Sequence, residues 1–236
     1  KARTGGYDGR GNVPVTGPED VESAVEDIAG PAMVEEMVDF ERELAVMGCL
    51  GDGERDTFPV TETVHREEIL RESVAPARAS ETVRDRARSV ALDVLSVMDG
   101  RGVFGIELFE TRDGDILVNE IAPRPHNSGH WTIEGCHTSQ FEQHVRAVLG
   151  EPLGTTELRD PTVSANILGD VVERQPGTMH GEETVLSTDR AHLHWYGKHE
   201  VYDLRKMGHV TMTGDDRDSL LSDVRDLRDG VTFRTD

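Results

Sequence analysis

Apolar positions along the chain recur with two spacings, one typical of helices and one typical of strands. Residues 81–98 place apolar side chains every three or four positions behind Ser80, a good N-cap, which predicts a long helix. Further helices are predicted at 18–28, 139–149 and near 219–227. The predicted strands cover 32–38, 43–48, 56–65, 163–168, 192–196 and 209–213.

Residues 103–122 form two apolar, β-rich runs separated by Asp113 and Gly114, which predicts a hairpin. A two-residue loop at this point places Glu107 opposite Glu120 on one face. Like charges directly opposite each other destabilise a sheet, so a cation between them would explain the pair. Carboxylate oxygens suit Mg²⁺. The alternative is a solvated pair on an exposed face of an acid-rich chain.

The charge balance is strongly acidic, with 46 acidic and 25 basic residues and a formal charge of −21. This excess argues against nucleic acid or an anionic membrane as a partner. The lysines are Lys1, Lys198 and Lys206, and the other basic residues are arginines. This composition favours an acid-coated, halophilic surface, in which salt screens the repulsion between carboxylates. A basic substrate is the alternative.

The chain has two cysteines, Cys49 and Cys136, and no ladder of spaced cysteines. This usage predicts a reducing, cytoplasmic location. The sequence also lacks an apolar run long enough to cross a membrane and a signal-like start, so no membrane partner is expected.

Three polar segments are candidates for anion binding. Residues 1–12 combine four glycines with three cations, and main-chain N–H groups freed by glycine can hold phosphate oxygens, although a flexible loop is the alternative. Residues 122–131 follow Glu120 and offer a guanidinium, imidazoles and an amide, or cap a turn. Pro125 and Gly129 argue against a zinc-binding helix there. The cations of 198–206 suggest an anionic ligand or a charge-balanced turn.

Taken together, these motifs resemble the ATP-grasp ligases, and within them the N5-carboxyaminoimidazole ribonucleotide synthases of purine biosynthesis. The resemblance rests on the segments 1–12, 35–43, 105–109, 119–124, 126–132, 193–196 and 206–209, and on His65. It implies an α+β fold, with an ATP-grasp antiparallel sheet and helices followed by a small β-rich C-terminal domain. The implied division is 1–40 (part of the lid subdomain with a phosphate flap), 41–152 (large subdomain with the metal site) and 153–236. Because the family carries an N-terminal α/β domain before the position of Lys1, we expect this sequence to be part of a longer enzyme.

The resemblance also implies roles for individual residues. ATP contacts are implied for Lys1, Gly6, Tyr7, Asp8, Gly9, Arg10, Gly11, Asn12, Glu35, Glu36, Met37, Val38, Glu43, His65, Asn119 and Glu120. Mg²⁺ ligation is implied for Glu107 and Glu120. Catalytic contacts to bicarbonate and carboxyphosphate are implied for Arg124, His126 and Asn127. Contacts to aminoimidazole ribonucleotide are implied for Tyr7, Asp8, Arg10, Lys198 and Arg205.

The implied reaction is the ATP- and bicarbonate-dependent carboxylation of 5-aminoimidazole ribonucleotide, carried out by a homodimer. One alternative is a sister ATP-grasp enzyme, such as a formate-dependent glycinamide ribonucleotide transformylase. Another is a non-catalytic nucleotide-binding module. The segment 126–131 favours the carboxylating family over the sister enzyme.

Overall fold

The computed structural model describes residues 1–5, 11–28 and 30–234. The strands are β1 Phe40–Leu50, β2 Arg55–Thr57, β3 Thr61–Arg66, β4 Ile69–Ala75, β5 Gly102–Thr111, β6 Ile116–Ala122, β7 Thr162–Leu168, β8 Gln175–Pro176, β9 Thr178–His180, β10 Ala191–Trp195, β11 Glu200–Val201, β12 Lys206–Thr213 and β13 Thr232–Arg234. The helices are α1 Val21–Ile28, α2 Glu81–Val97, α3 Thr132–Gly135, α4 Gln140–Leu149, α5 Glu182–Ser187 and α6 Arg217–Asp229, with 3-10 turns at Pro18–Asp20 and Asn127–Gly129. The predicted mixture of helices and antiparallel strands is confirmed.

Nine strands of the described residues form one antiparallel sheet in the order β10-β12-β7-β4-β3-β1-β5-β6, with β2 paired to β1. The sheet passes from β4 to β7, where Ala75 pairs with Thr162. The predicted segments 41–152 and 153–236 therefore both contribute strands to it. Their division into domains, with 1–40 before them, stays a prediction.

Helix α2 covers one face of β1 and β5. Its N-cap Ser80 accepts a hydrogen bond from the Val83 main chain at 3.3 Å, as its sequence position predicts. One core cluster buries the following side chains of α2 and the two strands: Leu44, Val46, Val83, Ala87, Ala91, Leu95, Ile106 and Leu108. Because successive strand side chains point to opposite faces, Glu43, Gly105 and Glu107 lie on the face away from α2.

A second core joins the C-terminal strands to α6. It includes Val163, Ile167, Val210, Leu221 and Val224. Asp216 caps α6 by accepting hydrogen bonds from the main chains of Asp218 and Ser219 at 2.8 and 2.9 Å. The predicted helix near 219–227 is four residues shorter than α6. Its start was placed too late because the first turn of α6 is polar and does not continue the apolar pattern.

Two of the predicted strands differ from the structure. The prediction at 32–38 is wrong: Ala32 forms an isolated bridge with Ala2, and Val34 and Met37 are exposed. The predicted strand at 56–65 is interrupted between β2 and β3, where Pro59 lacks the N–H that a ladder needs.

Strand β4 was not predicted because a charged residue, Glu72, interrupts its apolar pattern. Glu72 is fully buried, and its Oε1 and Oε2 atoms accept hydrogen bonds from Arg228 at 2.6 Å and Arg225 at 3.1 Å. Burial by itself raises the pKa of Glu72, but the hydrogen bonds and charges of these two arginines outweigh it and lower the pKa overall. Glu72 thereby ties α6 to the sheet.

No helix of the described residues combines the length and the apolar composition needed to cross a bilayer.

We expect Glu72→Ala to lower the free energy of unfolding by about 3–5 kcal/mol, because it leaves two partly buried arginines without their partner. Urea unfolding at neutral pH measures the change. Glu173→Ala, at an exposed position, is the control and should stay within about 0.5 kcal/mol of the unsubstituted protein. A loss of less than about 1 kcal/mol at Glu72 would contradict this account of the α6 attachment.

Candidate active site

Glu107 and Glu120 are paired across β5 and β6, as predicted, but the loop that joins the two strands differs from the predicted one. The loop has three residues, since the Thr111 main chain donates to the Asp115 carbonyl at 2.9 Å, and Gly114 adopts a φ of 80°. This loop shifts the register by one residue from the predicted one. A β-bulge then leaves Asn119 unpaired and restores the predicted alignment from Glu107 onward.

Glu107 lies in a group of charged side chains on the face of the sheet away from α2. Burial raises the pKa of Glu107, and the charges of Glu120 and Glu43 raise it further, although His65 and Lys206 act in the opposite direction. His65 Nδ1 hydrogen-bonds to a Glu43 carboxylate oxygen. This group therefore has more carboxylates than its cations neutralise, and a bound cation would relieve the repulsion.

The loop that follows β6 packs directly over β5. A Cβ on Gly105 would lie 2.6 Å from the Cβ of His126, so this close approach requires glycine. The buried Gln140 of α4 fixes the loop by accepting from the His126 N–H at 2.9 Å and donating to the His126 carbonyl at 2.7 Å. His126 Nδ1 lies 2.9 Å from Ser128 Oγ and 3.8 Å from Glu107 Oε1.

The other members of this loop differ in exposure. Arg124 is exposed and donates to the Pro125 carbonyl at 3.1 Å. Asn127 is half-buried and begins the 3-10 turn. The loop therefore presents a guanidinium and an amide beside the imidazole that faces Glu107.

The described N-terminal residues form a separate contact. Lys1 Nζ lies 2.7 Å from Glu35 Oε2, and its terminal ammonium donates to the Met33 carbonyl at 2.9 Å. Glu36 and Met37 are exposed, and Val38 is half-buried. Gly11 accepts a main-chain hydrogen bond from Ala2 at 2.7 Å, and Asn12 is exposed. The predicted contacts at Gly6, Tyr7, Asp8, Gly9 and Arg10 lie outside the described residues.

Two predicted substrate contacts lie in the C-terminal segment. Lys198 donates through Nζ to the Lys206 carbonyl and lies 5.4 Å from the Tyr196 ring centroid. Arg205 donates to the Glu200 carbonyl at 2.5 Å and lies over the Tyr202 ring. Lys198 is therefore hydrogen-bonded to β12, and the charge of Lys206 on that strand acts to lower the pKa of Glu107. Arg205 instead contacts Glu200 and Tyr202.

Sequence reasoning placed Lys206 in a cationic segment but not near Glu107, and it did not identify a row of stacked imidazoles beside the site. The rings of His130 and His209 are 4.5 Å apart, and those of His209 and His194 are 4.4 Å apart. His194 Nε2 lies 2.8 Å from Glu134 Oε1. The available signal for Lys206 was its rarity, since it is one of three lysines. The histidines come from three separate elements, so no local motif could have grouped them.

Two of the stacked histidines, His130 and His209, are neutral in the folded protein at neutral pH. Burial and the charge of neighbouring histidines lower the pKa of His209 to about 2. Burial, assisted by His194, His126 and Lys206, lowers the pKa of His130 to about 4. Below about pH 6.5, the unfolded chain therefore takes up protons that the folded chain excludes, and stability decreases as the pH falls.

We expect the free energy of unfolding to decrease between about pH 6.5 and pH 5, by up to about 1.4 kcal/mol per pH unit for each of these two histidines. Chemical unfolding at several pH values should give a shallower dependence for His209→Gln. His192→Gln, at an exposed position on β10, should leave the slope unchanged. NMR titration of the unsubstituted protein is a second test, and a His209 ring that titrates above pH 5 would contradict the interpretation.

Two family models match the chain. The ATP-grasp domain matches residues 1–141, and the phosphoribosylaminoimidazole carboxylase C-terminal domain matches residues 162–223. N5-carboxyaminoimidazole ribonucleotide synthase from Bacillus subtilis is 40% identical over 226 residues, which cover 95% of this chain and 58% of that protein. Phosphoribosylaminoimidazole carboxylase from Schizosaccharomyces pombe is 41% identical over 244 residues, covering 96% of this chain and 43% of that protein. The chain thus spans less than two thirds of these relatives.

Solved structures give the same result. Carboxyaminoimidazole ribonucleotide synthase from Aspergillus clavatus in complex with ATP superimposes with a TM-score of 0.88 at 36% identity, covering 98% of this chain and 61% of that one. A structure of the Aspergillus clavatus enzyme with ADP and 5-aminoimidazole ribonucleotide gives a TM-score of 0.83 at 35% identity, covering 90% and 57%. These matches confirm the predicted resemblance and the ATP-grasp fold with its C-terminal domain. The chain belongs to the ATP-grasp family, and its similarity within that family is to the N5-carboxyaminoimidazole ribonucleotide synthases.

Proposed function

We propose that this chain is part of a ligase that uses ATP and bicarbonate to carboxylate 5-aminoimidazole ribonucleotide, giving N5-carboxyaminoimidazole ribonucleotide in purine biosynthesis. The observation that carries the proposal is the Glu107–Glu120 pair beneath the His126 loop, where metal-bound phosphates and an anionic substrate could meet. The relatives named above, and the ATP, ADP and ribonucleotide complexes among them, support it.

Mg²⁺ would be held by Glu107 and Glu120, where it would neutralise charge on the ATP phosphates. The donor set fits this ion, because Mg²⁺ in nucleotide sites is commonly held by one or two carboxylates together with phosphate oxygens. No group of three or more His, Cys, Asp or Glu side chains in the described ranges is arranged to hold a metal by itself. Phosphate oxygens would therefore complete the coordination.

The chain's own residues would bind and orient the reactants. Arg124, His126 and Asn127 would hold bicarbonate so that its oxygen attacks the γ-phosphorus as the bond to ADP breaks, giving carboxyphosphate. The amine of the ribonucleotide would then lose a proton and form a bond either to the carboxyl carbon of carboxyphosphate, as phosphate leaves, or to the carbon of CO₂ already released from it with phosphate. Arg124 would stabilise the anionic intermediate through its guanidinium.

The nucleotide would lie between the N-terminal segment and the carboxylate pair. Lys1 and residues Gly6, Tyr7, Asp8, Gly9, Arg10, Gly11 and Asn12 would close over the phosphates and exclude water from carboxyphosphate. Glu35, Glu36, Met37 and Val38 would meet the adenine and Glu43 the ribose, and His65 would be a further residue of the nucleotide site. Asn119, the bulged residue, would contact ATP beside Glu120.

The ribonucleotide would bind through Lys198 and Arg205 together with Tyr7, Asp8 and Arg10. Lys198 is well placed for this role, because it is bonded to the strand that brings Lys206 near Glu107.

The sister formate-dependent enzyme remains a second candidate, and formate dependence in an assay would favour it. A non-catalytic nucleotide-binding module would instead show no ribonucleotide-stimulated turnover.

The setting of the enzyme is part of the same proposal. A cytoplasmic location agrees with two cysteines that are free and buried. A homodimer, usual in the family, is proposed as the assembly, which sedimentation velocity would test.

The decisive measurement is ADP release in MgATP and bicarbonate, with and without aminoimidazole ribonucleotide, by the chain carried in a protein of the relatives' full length. We expect ribonucleotide-stimulated turnover that falls at least about 100-fold in Glu120→Gln, because the variant removes a carboxylate from the cation site. Asp113→Asn, at the exposed tip of the same hairpin, is the matched control and should keep full activity. Equal activity in Glu120→Gln and the control would contradict the metal assignment.

We also propose that the acidic surface is a halophilic adaptation. With a formal charge of −21, carboxylate repulsion is screened over about 3 Å at 1 M salt but about 10 Å at 0.1 M. The melting temperature should therefore fall when KCl is lowered from about 2 M to about 0.1 M. An equal melting temperature at both concentrations would count against halophily.

A further inference from the structure

His130 is connected to two elements of the C-terminal segment through one phenol. Tyr196 Oη lies 3.1 Å from His130 Nδ1 and 2.8 Å from His209 Nδ1. Burial raises the pKa of Tyr196, so the phenol keeps its hydrogen at neutral pH. A phenol has one hydrogen to donate, so it donates to one imidazole and accepts from the other.

The surroundings of His209 decide the direction of these bonds. His209 is 2% exposed, and its Nε2 is a buried atom without a hydrogen-bond partner among the described residues. A hydrogen on that nitrogen would be a buried orphan donor, which is rarer and less favourable than an orphan acceptor. The hydrogen of His209 is therefore assigned to Nδ1, which donates to Tyr196 Oη.

This assignment fixes the tautomer of His130. Since Tyr196 accepts from His209, its own hydrogen is donated to His130 Nδ1, and the hydrogen of His130 must be on Nε2. His130 Nε2 has no partner in the described part of the chain, yet it is not among the buried atoms that lack one. The structure thus leaves an N–H donor with a fixed tautomer and no partner among the described residues.

His130 lies on the loop that carries His126, beside the candidate site. The ring is held between His209 at 4.5 Å and Phe141 at 5.8 Å, measured between ring centroids. His130 is four residues from His126. Both His126 and Lys206 contribute to lowering the pKa of His130, and Lys206 also acts to lower the pKa of Glu107. A neutral ring in this position avoids repulsion with the Lys206 ammonium while it retains a hydrogen to donate.

We propose that His130 is a further substrate-binding residue, whose Nε2–H donates a hydrogen bond to an anionic oxygen of a substrate and whose tautomer is set by Tyr196 and His209. The proposal rests on the proposed function for the identity of the substrates. Two sources of such an oxygen are possible, the carboxylate group that derives from bicarbonate and the phosphate of the ribonucleotide.

Long-range ¹H–¹⁵N NMR of the unsubstituted protein tests the tautomer without requiring activity. We expect His130 to be the Nε2–H form and to lose that preference in Tyr196→Phe, which keeps the ring but removes the hydroxyl. Addition of inorganic bicarbonate or inorganic phosphate should shift the His130 Nε2 signal. An Nδ1–H form, or no response to either anion, would overturn the proposal whether or not the protein is an active ligase.

Steady-state kinetics of the full-length protein identifies the oxygen. In His130→Leu the KM for bicarbonate, or that for the ribonucleotide, should rise about ten- to hundredfold, since hydrogen bonds to charged groups contribute at this level. The KM for ATP should not change, and His130→Gln should recover part of the loss because it retains an N–H donor. His192→Leu, on the exposed part of β10, is the control.

Unchanged KM values for both substrates in His130→Leu would overturn the proposal. A lack of ribonucleotide-stimulated turnover in the unsubstituted protein would instead contradict the proposed function, and the NMR titration would then decide the role of His130 independently.

Discussion

The antiparallel pairing of β1 with β5 is the constraint on which both the core and the candidate site depend. The two strands stay in register from Arg42 with Glu110 to Leu50 with Gly102. Because strand side chains alternate, one face presents Leu44 and Ile106 to α2 and the other presents charged groups to the loop after β6. A single ladder thus places buried apolar side chains on one face and the half-buried carboxylates of Glu43 and Glu107 on the other.

The loop over the charged face is held by polar contacts in addition to the apolar packing of Trp131 against Met47 and Val103. Gln140 makes two main-chain hydrogen bonds to His126, and Gly105 lets the loop approach the sheet. Tyr196 connects the same loop region to β12 through His130 and His209. Each contact uses a buried polar group that needs its partner, so the loop has few alternative positions. Such rigidity suits a site that must hold a short-lived intermediate in place.

The sequence predicted those parts of the fold whose signals are local. Helix α2 and its Ser80 cap, α4 with Gly150 after it, and the hairpin all follow from periodicity and turn residues. Strand β4 was missed because Glu72 is stabilised by arginines about 150 residues away, which no local window contains. The strand at 32–38 was wrongly predicted because apolar content favours a strand, whereas a strand also needs a paired neighbour.

The same limit applies to the site. The pairing of Glu107 with Glu120 could be predicted from the hairpin, although its three-residue loop and its bulge were not. The stacked histidines could not be predicted, because they come from β10, β12 and the loop after β6, which are far apart in sequence. The family resemblance supplied roles for single residues. It could not supply the tautomer of His130, which depends on a buried nitrogen of His209 that has no partner in the described structure.

The bulge at Asn119 has a consequence for how the carboxylate pair comes to exist. In a regular β6, Ile116 and Glu120 would share one face, and Ile121 would lie on the other. The bulge reverses this relation, so that Ile116 and Ile121 both pack against the α2 core and Glu120 turns to Glu107. Slipping back by one residue would bury a carboxylate among aliphatic side chains and expose an isoleucine, which is unfavourable on both counts. The packing of Ile116 and Ile121 in the hydrophobic core therefore fixes the alignment of the acidic pair by itself, without a ligand to compensate its charge.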